Sequence, residues 1–155
     1  MSMIGELTFF LGLQIKQMKE GIFITQSKYT RELLKKFGIE SSKSVSTSMT
    51  PSSKLDKDEH GKSIDSKLYR GMIGSSLYLT VNRSDIIFSI CMCARFQFNL
   101  KESHLNAVKR IFKYLKGIQN LGLWFSKQSS INLIGYSDAD FAGCRLDRKN
   151  TSETW

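Results

Sequence analysis

The chain has 155 residues and a mass of 17.7 kDa, which at roughly 100 to 200 residues per domain allows one domain or pieces of two and excludes a complete multidomain enzyme. Apolar residues make up 41% and charged residues 24%, ordinary globular usage that excludes wholesale disorder, while one Pro and three Cys exclude a Pro-rich linker and a disulfide scaffold. Lys and Arg number 23 against 14 Asp and Glu, a net +9, so phosphate-bearing partners stay in view.

The charge is uneven: residues 61–127 hold 11 basic and 3 acidic side chains, whereas 1–60 hold 9 and 7 and 128–155 hold 3 and 4. No apolar run reaches the ~18 residues of a membrane span, and Met1 to Glu6 lacks a signal-peptide layout. A soluble, intracellular protein with reduced thiols is expected.

Residues 7–25 read as a β-hairpin. Leu11, Leu13 and Ile15 alternate with Gly12 and Gln14 in one strand over 7–15, Lys19-Glu20-Gly21 supplies a turn, and Ile22 to Thr25 returns. Both strands of this hairpin would carry open edges, an aggregation liability. Ser27 can cap a helix to about Phe37, with Tyr29, Leu33 and Phe37 on one face and Gly38 as its stop. From Ser41 to Ser53 the chain is mostly Ser, followed by mixed charges through Glu59, so 41–63 reads as a linker or long surface loop.

Three more helices are expected. Asp65 caps the first, to about Val81, where Gly71, Gly74, Ser75 and Ser76 suggest close helix approach. Asp85 caps the second, Ile86 to about Phe98, apolar almost all round and therefore central. Asn99 and Glu102 form a capping box for the third, which ends at Gly117. At 100° per residue this last helix puts Leu105, Val108, Ile111, Phe112 and Leu115 on one arc and Lys109, Arg110, Lys113 and Lys116 on another. Strands are expected at 121–125 and 131–138.

Four features carry possible chemistry. The four cations from Lys109 to Lys116 could track a phosphate backbone, although a solvated face is the commoner fate of such residues. Asp138 and Asp140, with Asp147 nearby, could hold a hard cation, although Asp-x-Asp at a strand end more often makes a turn. His104 borders the greasy arc, where packing is the expected role, and His60 earns none. Cys91 and Cys93 lie about 200° apart on a helix, which favours packing over a shared metal.

Taken in order, the blocks Gly5-Glu6-Leu7-Thr8-Phe9-Phe10-Leu11-Gly12, Leu68-Tyr69-Arg70-Gly71-Met72-Ile73-Gly74, Ala107-Val108-Lys109-Arg110-Ile111-Phe112-Lys113-Tyr114-Leu115-Lys116-Gly117 and Gly135-Tyr136-Ser137-Asp138-Ala139-Asp140 resemble the Pol polyprotein of Ty1/copia-type long-terminal-repeat retrotransposons. The resemblance implies an α+β fragment in four parts. Residues 1–40 would end the reverse transcriptase palm, with Phe10, Leu11 and Gly12 in a primer-grip-like hairpin; 41–63 would be a linker; 64–127 a thumb- or connection-like helical segment; and 128–155 the truncated start of RNase H, as a partial β-hairpin. By the same resemblance Asp138 matches a metal-binding carboxylate of RNase H, and Lys109, Arg110, Lys113 and Lys116 would hold an RNA:DNA or DNA duplex. Mg²⁺ is implied for the intact enzyme and no cofactor for the chain alone; the partners are the duplex and the rest of Pol, with no membrane.

The chain departs from that pattern. It contains no Tyr-x-Asp-Asp and few of the RNase H carboxylates, Ser84 stands where the family usually has Pro, and Glu153 where it usually has Gly. Inactivity alone is therefore expected. The alternative is a basic helical module that binds nucleic acid or protein without catalysis.

Overall fold

A computed structural model of the chain describes residues 6–50 and 55–128, together with the backbone of 137–140 and 151–154. Its elements form an α+β fold with a four-stranded antiparallel sheet, four helices and a second, two-stranded sheet.

The N-terminal strand is broken where one continuous strand is expected. Strand β1 (Phe9–Phe10) ends at Leu11-Gly12, and β2 (Leu13–Met18) runs back so that Phe10 pairs with Leu13. Both turn residues have positive φ, 49° at Leu11 and 80° at Gly12, the combination a two-residue hairpin turn requires. Turn chemistry here overrides the period-2 pattern of Leu11, Leu13 and Ile15. Strand β3 (Gly21–Thr25) then returns, with Met18 opposite Gly21.

The open hairpin edge is also corrected. Strand β4 (Gly122–Ser126), which follows all the helices, pairs antiparallel with β3, setting Trp124 opposite Phe23. The sheet order is β1-β2-β3-β4.

Helix α1 (Ser27–Lys36) matches the expected span, but its cap is tertiary. The Gln14 side-chain oxygen on β2 accepts from the Ser27 hydroxyl at 2.8 Å and from the Lys28 N–H at 2.7 Å, so the sheet satisfies a donor of the helix start. Gly38 follows with φ 66°, the left-handed stop that glycine favours. Helix α2 (Ser66–Leu79) is capped by Asp65, whose carboxylate accepts from the Lys67 N–H at 3.0 Å. Its glycines do not form the expected tight seam: a Cβ at Gly74 would meet open space and one at Gly71 only the edge of Phe37, 3.9 Å away.

The next helix is shorter than expected. A 3₁₀ turn (Ser84–Ile86) precedes α3 (Ile87–Ala94), and the Asp85 carboxylate is committed to Arg83 rather than to a cap. Ile86, Ile90 and Cys93 are fully buried, but Ile87 and Phe88 are exposed, so α3 is central along one side only. Helix α4 (Glu102–Gly117) begins after Lys101 rather than at Asn99. Its apolar arc is buried as expected through Val108, Ile111, Phe112 and Leu115.

One core joins all four helices: Leu33 and Leu34 of α1 pack with Tyr69, Met72 and Ile73 of α2, Ile90 of α3 and the α4 arc. The segment between α1 and α2 is a strap on this core. Met49 and Leu55 pack against the core, Ser48 hydrogen-bonds Ser89 at 2.9 Å, and Ser63 bridges Lys101. It buries little apolar area of its own, and its polar groups find partners on α3 and α4 instead. Beyond β4, strands β5 (Ser137–Asp140) and β6 (Thr151–Thr154) pair antiparallel, with Asp138 opposite Glu153.

Candidate nucleic-acid interface

The apex Phe10-Leu11-Gly12 projects from the sheet, Leu11 being 77% exposed. A latch from α2 holds it: the Tyr78 hydroxyl donates to the Leu11 carbonyl. A Cβ at Gly12 would lie 2.5 Å from that hydroxyl oxygen, so glycine is required twice, for its φ and for the approach of Tyr78. Tyr78 is steadied by an edge-on contact with Tyr29, 4.8 Å between ring centres. No sequence signal marked Tyr78, because its partner is 67 positions away.

The four cations of α4 lie on the expected helix face, but the strap crosses it. Lys116 Nζ donates to the Ser42 carbonyl at 2.6 Å, Arg110 Nη2 donates to Thr47 Oγ1 at 2.9 Å, and the Lys113 carbonyl accepts from Val45 N–H at 3.4 Å. All four side chains are half-buried. The strap residues 41–50 include no acid, so the contact is made of neutral acceptors and leaves the positive field in place. Among the described residues the one ion pair lies elsewhere, between Arg83 and Asp85 at 2.7 Å.

That pair is the electrostatic anchor of the helices. Arg83 is 1% exposed, binds both carboxylate oxygens of Asp85 at 2.9 and 2.7 Å, and donates to the Ile118 carbonyl at 3.2 Å. Tyr114 of α4 donates to the same carboxylate at 2.9 Å. Burial opposes ionisation of Asp85, but the hydrogen bonds and charge of Arg83, with the Tyr114 hydroxyl, outweigh it and hold the carboxyl below its ordinary range. Sequence spacing suggested a cap at Asp85 and missed this bidentate fork.

His104 has the packing role expected of it. Its Nδ1 accepts from the Lys101 N–H at 3.1 Å, Nε2 faces the Asp56 carbonyl at 2.7 Å, and its ring stacks on Phe96 with centres 4.3 Å apart. With the Lys101 N–H donating to Nδ1, Nε2 is the ring nitrogen left to donate to the Asp56 carbonyl. Cys91 is exposed and Cys93 buried, on different sides of α3, as the helical spacing requires. Burial pushes the Cys93 thiol up to about 12, against the opposing hydrogen bond with Tyr69.

Among the described residues no three His, Cys, Asp or Glu side chains gather into a metal site, and no helix is long and apolar enough to cross a membrane. Asp138 and Asp140 lie on β5, whose backbone alone is described; Gly135, Tyr136 and Asp147 lie outside the described residues.

No protein-family model matches the chain, and no solved structure does. Over 147 residues, 95% of its length, it is 37% identical to the retrovirus-related Pol polyprotein from transposon RE1 of Arabidopsis thaliana. It is 31% identical over 96% of its length to the retrovirus-related Pol polyprotein from transposon TNT 1-94 of Nicotiana tabacum. Along nearly its whole length the chain is similar to retrotransposon Pol polyproteins. It spans about a tenth of those polyproteins, 10% and 12%. It is also 30% identical over 96% of its length to an uncharacterized mitochondrial protein of Arabidopsis thaliana, of which it covers 62%.

Proposed function

We propose that the chain is the part of a Ty1/copia-type Pol polyprotein that spans the end of the reverse transcriptase and the start of RNase H. In the intact polyprotein it holds the template–primer duplex during RNA-dependent DNA synthesis inside the cell. The observation that carries this reading is the face of α4: Lys109, Arg110, Lys113 and Lys116 within about two turns, with no carboxylate paired to them among the described residues. A regular row of cations suits a regular row of phosphates, bound without reading bases.

The hairpin apex serves the same task from the sheet. Its turn presents backbone groups of Leu11 and Gly12 on a short, latched loop, the kind of rigid element that positions a primer terminus. The strap's neutral acceptors orient Arg110 and Lys116 without cancelling them.

Mg²⁺ belongs to this reading through Asp138. Carboxylate oxygens are the donors this cation takes, and β5 supplies Asp138 and Asp140 while the register sets Glu153 opposite Asp138, so the donor chemistry fits. Asp138 would be one holder of the metal, which when bound supplies Lewis-acid activation of a phosphodiester.

Binding of a labelled RNA:DNA hybrid, followed by anisotropy across salt concentrations, tests the reading. Affinity is expected to fall linearly on a log–log scale, and Lys109→Glu with Lys113→Glu should lower the slope by about 2. An affinity unmoved by salt would sink the proposal.

A further inference from the structure

The sheet has two unlike faces. On one, Ile15, Ile24 and Leu123 form a row across β2, β3 and β4, and Gln17, Ile22 and Phe125 the next but one. That face is greasy. On the other, Lys16, Phe23 and Trp124 form one row, flanked by the row of Gln14, Thr25 and Gly122 and by that of Met18, Gly21 and Ser126.

The second face is built around two glycines. A Cβ at Gly122 would lie 2.8 Å from the tip of the Phe23 ring, and one at Gly21 would lie 2.8 Å from Cζ2 of Trp124. Each ring therefore reaches across the strand gap onto the glycine of the other strand. Rings seated this way lie along the sheet instead of standing off it, and Trp124 still keeps 45% of its surface open. The pattern is reciprocal in sequence, Gly21-Ile22-Phe23 answering Gly122-Leu123-Trp124.

Cations frame these rings. Lys16 shares their row, and Lys28 at the start of α1 stands over the Phe9 ring, Nζ 5.7 Å from its centre. None of the three rows contains an acid. A groove of about 380 Å³ opens beside them, lined in part by Phe9, Gln14, Lys16, Phe23, Thr25 and Asn120, with amide and hydroxyl groups next to aromatic surface.

We propose that this face binds single-stranded nucleic acid, with unpaired bases stacked on Trp124 and Phe23 and flanking phosphates drawn to Lys16 and Lys28. Flat aromatic surface with interspersed cations and no acids is the chemistry of sequence-tolerant single-strand binding. A duplex hides the faces of its bases in its own stack and offers these rings nothing to stack with. An apolar protein surface would match the opposite face, which has aliphatic rows. The site is separate from the α4 cations and does not depend on their binding a duplex.

The experiment uses the full chain with Trp155→Phe, so that Trp124 is the sole tryptophan, titrated with a single-stranded oligothymidylate of about ten nucleotides, within known single-strand site sizes. Saturable quenching of Trp124 is expected. Phe23→Ala should weaken binding about fivefold to a hundredfold, the loss of one stacked base, and the exposed Lys16→Glu, which touches no core, should weaken it while leaving circular dichroism unchanged. Reversing the α4 cations with Lys109→Glu and Lys113→Glu should leave the quenching in place. The proposal is overturned if an abasic oligonucleotide or a blunt duplex quenches as well as the oligothymidylate, or if Lys16→Glu has no effect. It is likewise overturned if no oligonucleotide quenches Trp124, which would assign the face to a protein partner.

Discussion

At the scale of single residues, charge placement separates structure from binding. Arg83 is buried and spent on Asp85 and Ile118, whereas Lys109 and Lys113 are half-buried with no acid beside them. Replacing Asp85 by Asn would leave the Arg83 guanidinium buried without its counter-charge. Because Asp85 itself is 25% exposed, the expected cost is at the lower end of what a broken buried pair causes, about 2–4 kcal/mol. The pH dependence has a definite sign. The folded carboxyl titrates below its unfolded value, so its contribution is complete above the ordinary carboxylate range and is lost as pH falls through the folded value. Thermal melts over a series of acid pH values should therefore show the parent losing stability more steeply than Asp85→Asn. Parallel pH profiles would place the acid sensitivity elsewhere.

Among the elements, local signals were legible where one residue decides the backbone. Asp65 at a helix start, Gly38 at a helix end and the Lys19-Glu20 turn all appear where the sequence places them. The signal failed where a distant partner competes. Gln14 takes over the cap of α1 from Ser27, and the Leu11-Gly12 turn, latched by Tyr78, breaks a strand that alternation alone would extend. The latch itself is testable. Gly12→Ala meets both a φ of 80° and the Tyr78 oxygen, and should cost about 1–3 kcal/mol; Tyr78→Phe should cost about 0.5–1.5 kcal/mol. The two are in contact, so the double variant should lose less than the sum of the singles, because Phe removes the atom that Ala strikes. Urea midpoints of the four proteins give the coupling directly. Strict additivity would mean that the turn and Tyr78 are independent.

For the whole molecule, the decisive contacts join distant parts of the chain: β4 closes β3, and the Ser-rich strap closes over α4. Composition marks the strap as a poor source of hydrophobic stabilisation, which it is, but composition is blind to carbonyl and hydroxyl groups that satisfy Lys116 and Arg110. The basic arc was therefore legible as an arc and illegible as a half-covered surface. A covalent pin shows whether the strap belongs to the folded body. A Cβ at Gly117 would lie 3.4 Å from that of Ser44, close to the ~3.5–4.5 Å a disulfide spans. In a background with Cys91→Ser and Cys144→Ser, the pair Ser44→Cys and Gly117→Cys should oxidise under mild conditions, while the buried Cys93 stays out of the exchange. Closing so long a loop is expected to raise stability by about 2–4 kcal/mol, read as a higher urea midpoint that a reductant reverses. Had the strap stood off the helices, the thiols would stay reduced or the bond would strain the fold and lower the midpoint.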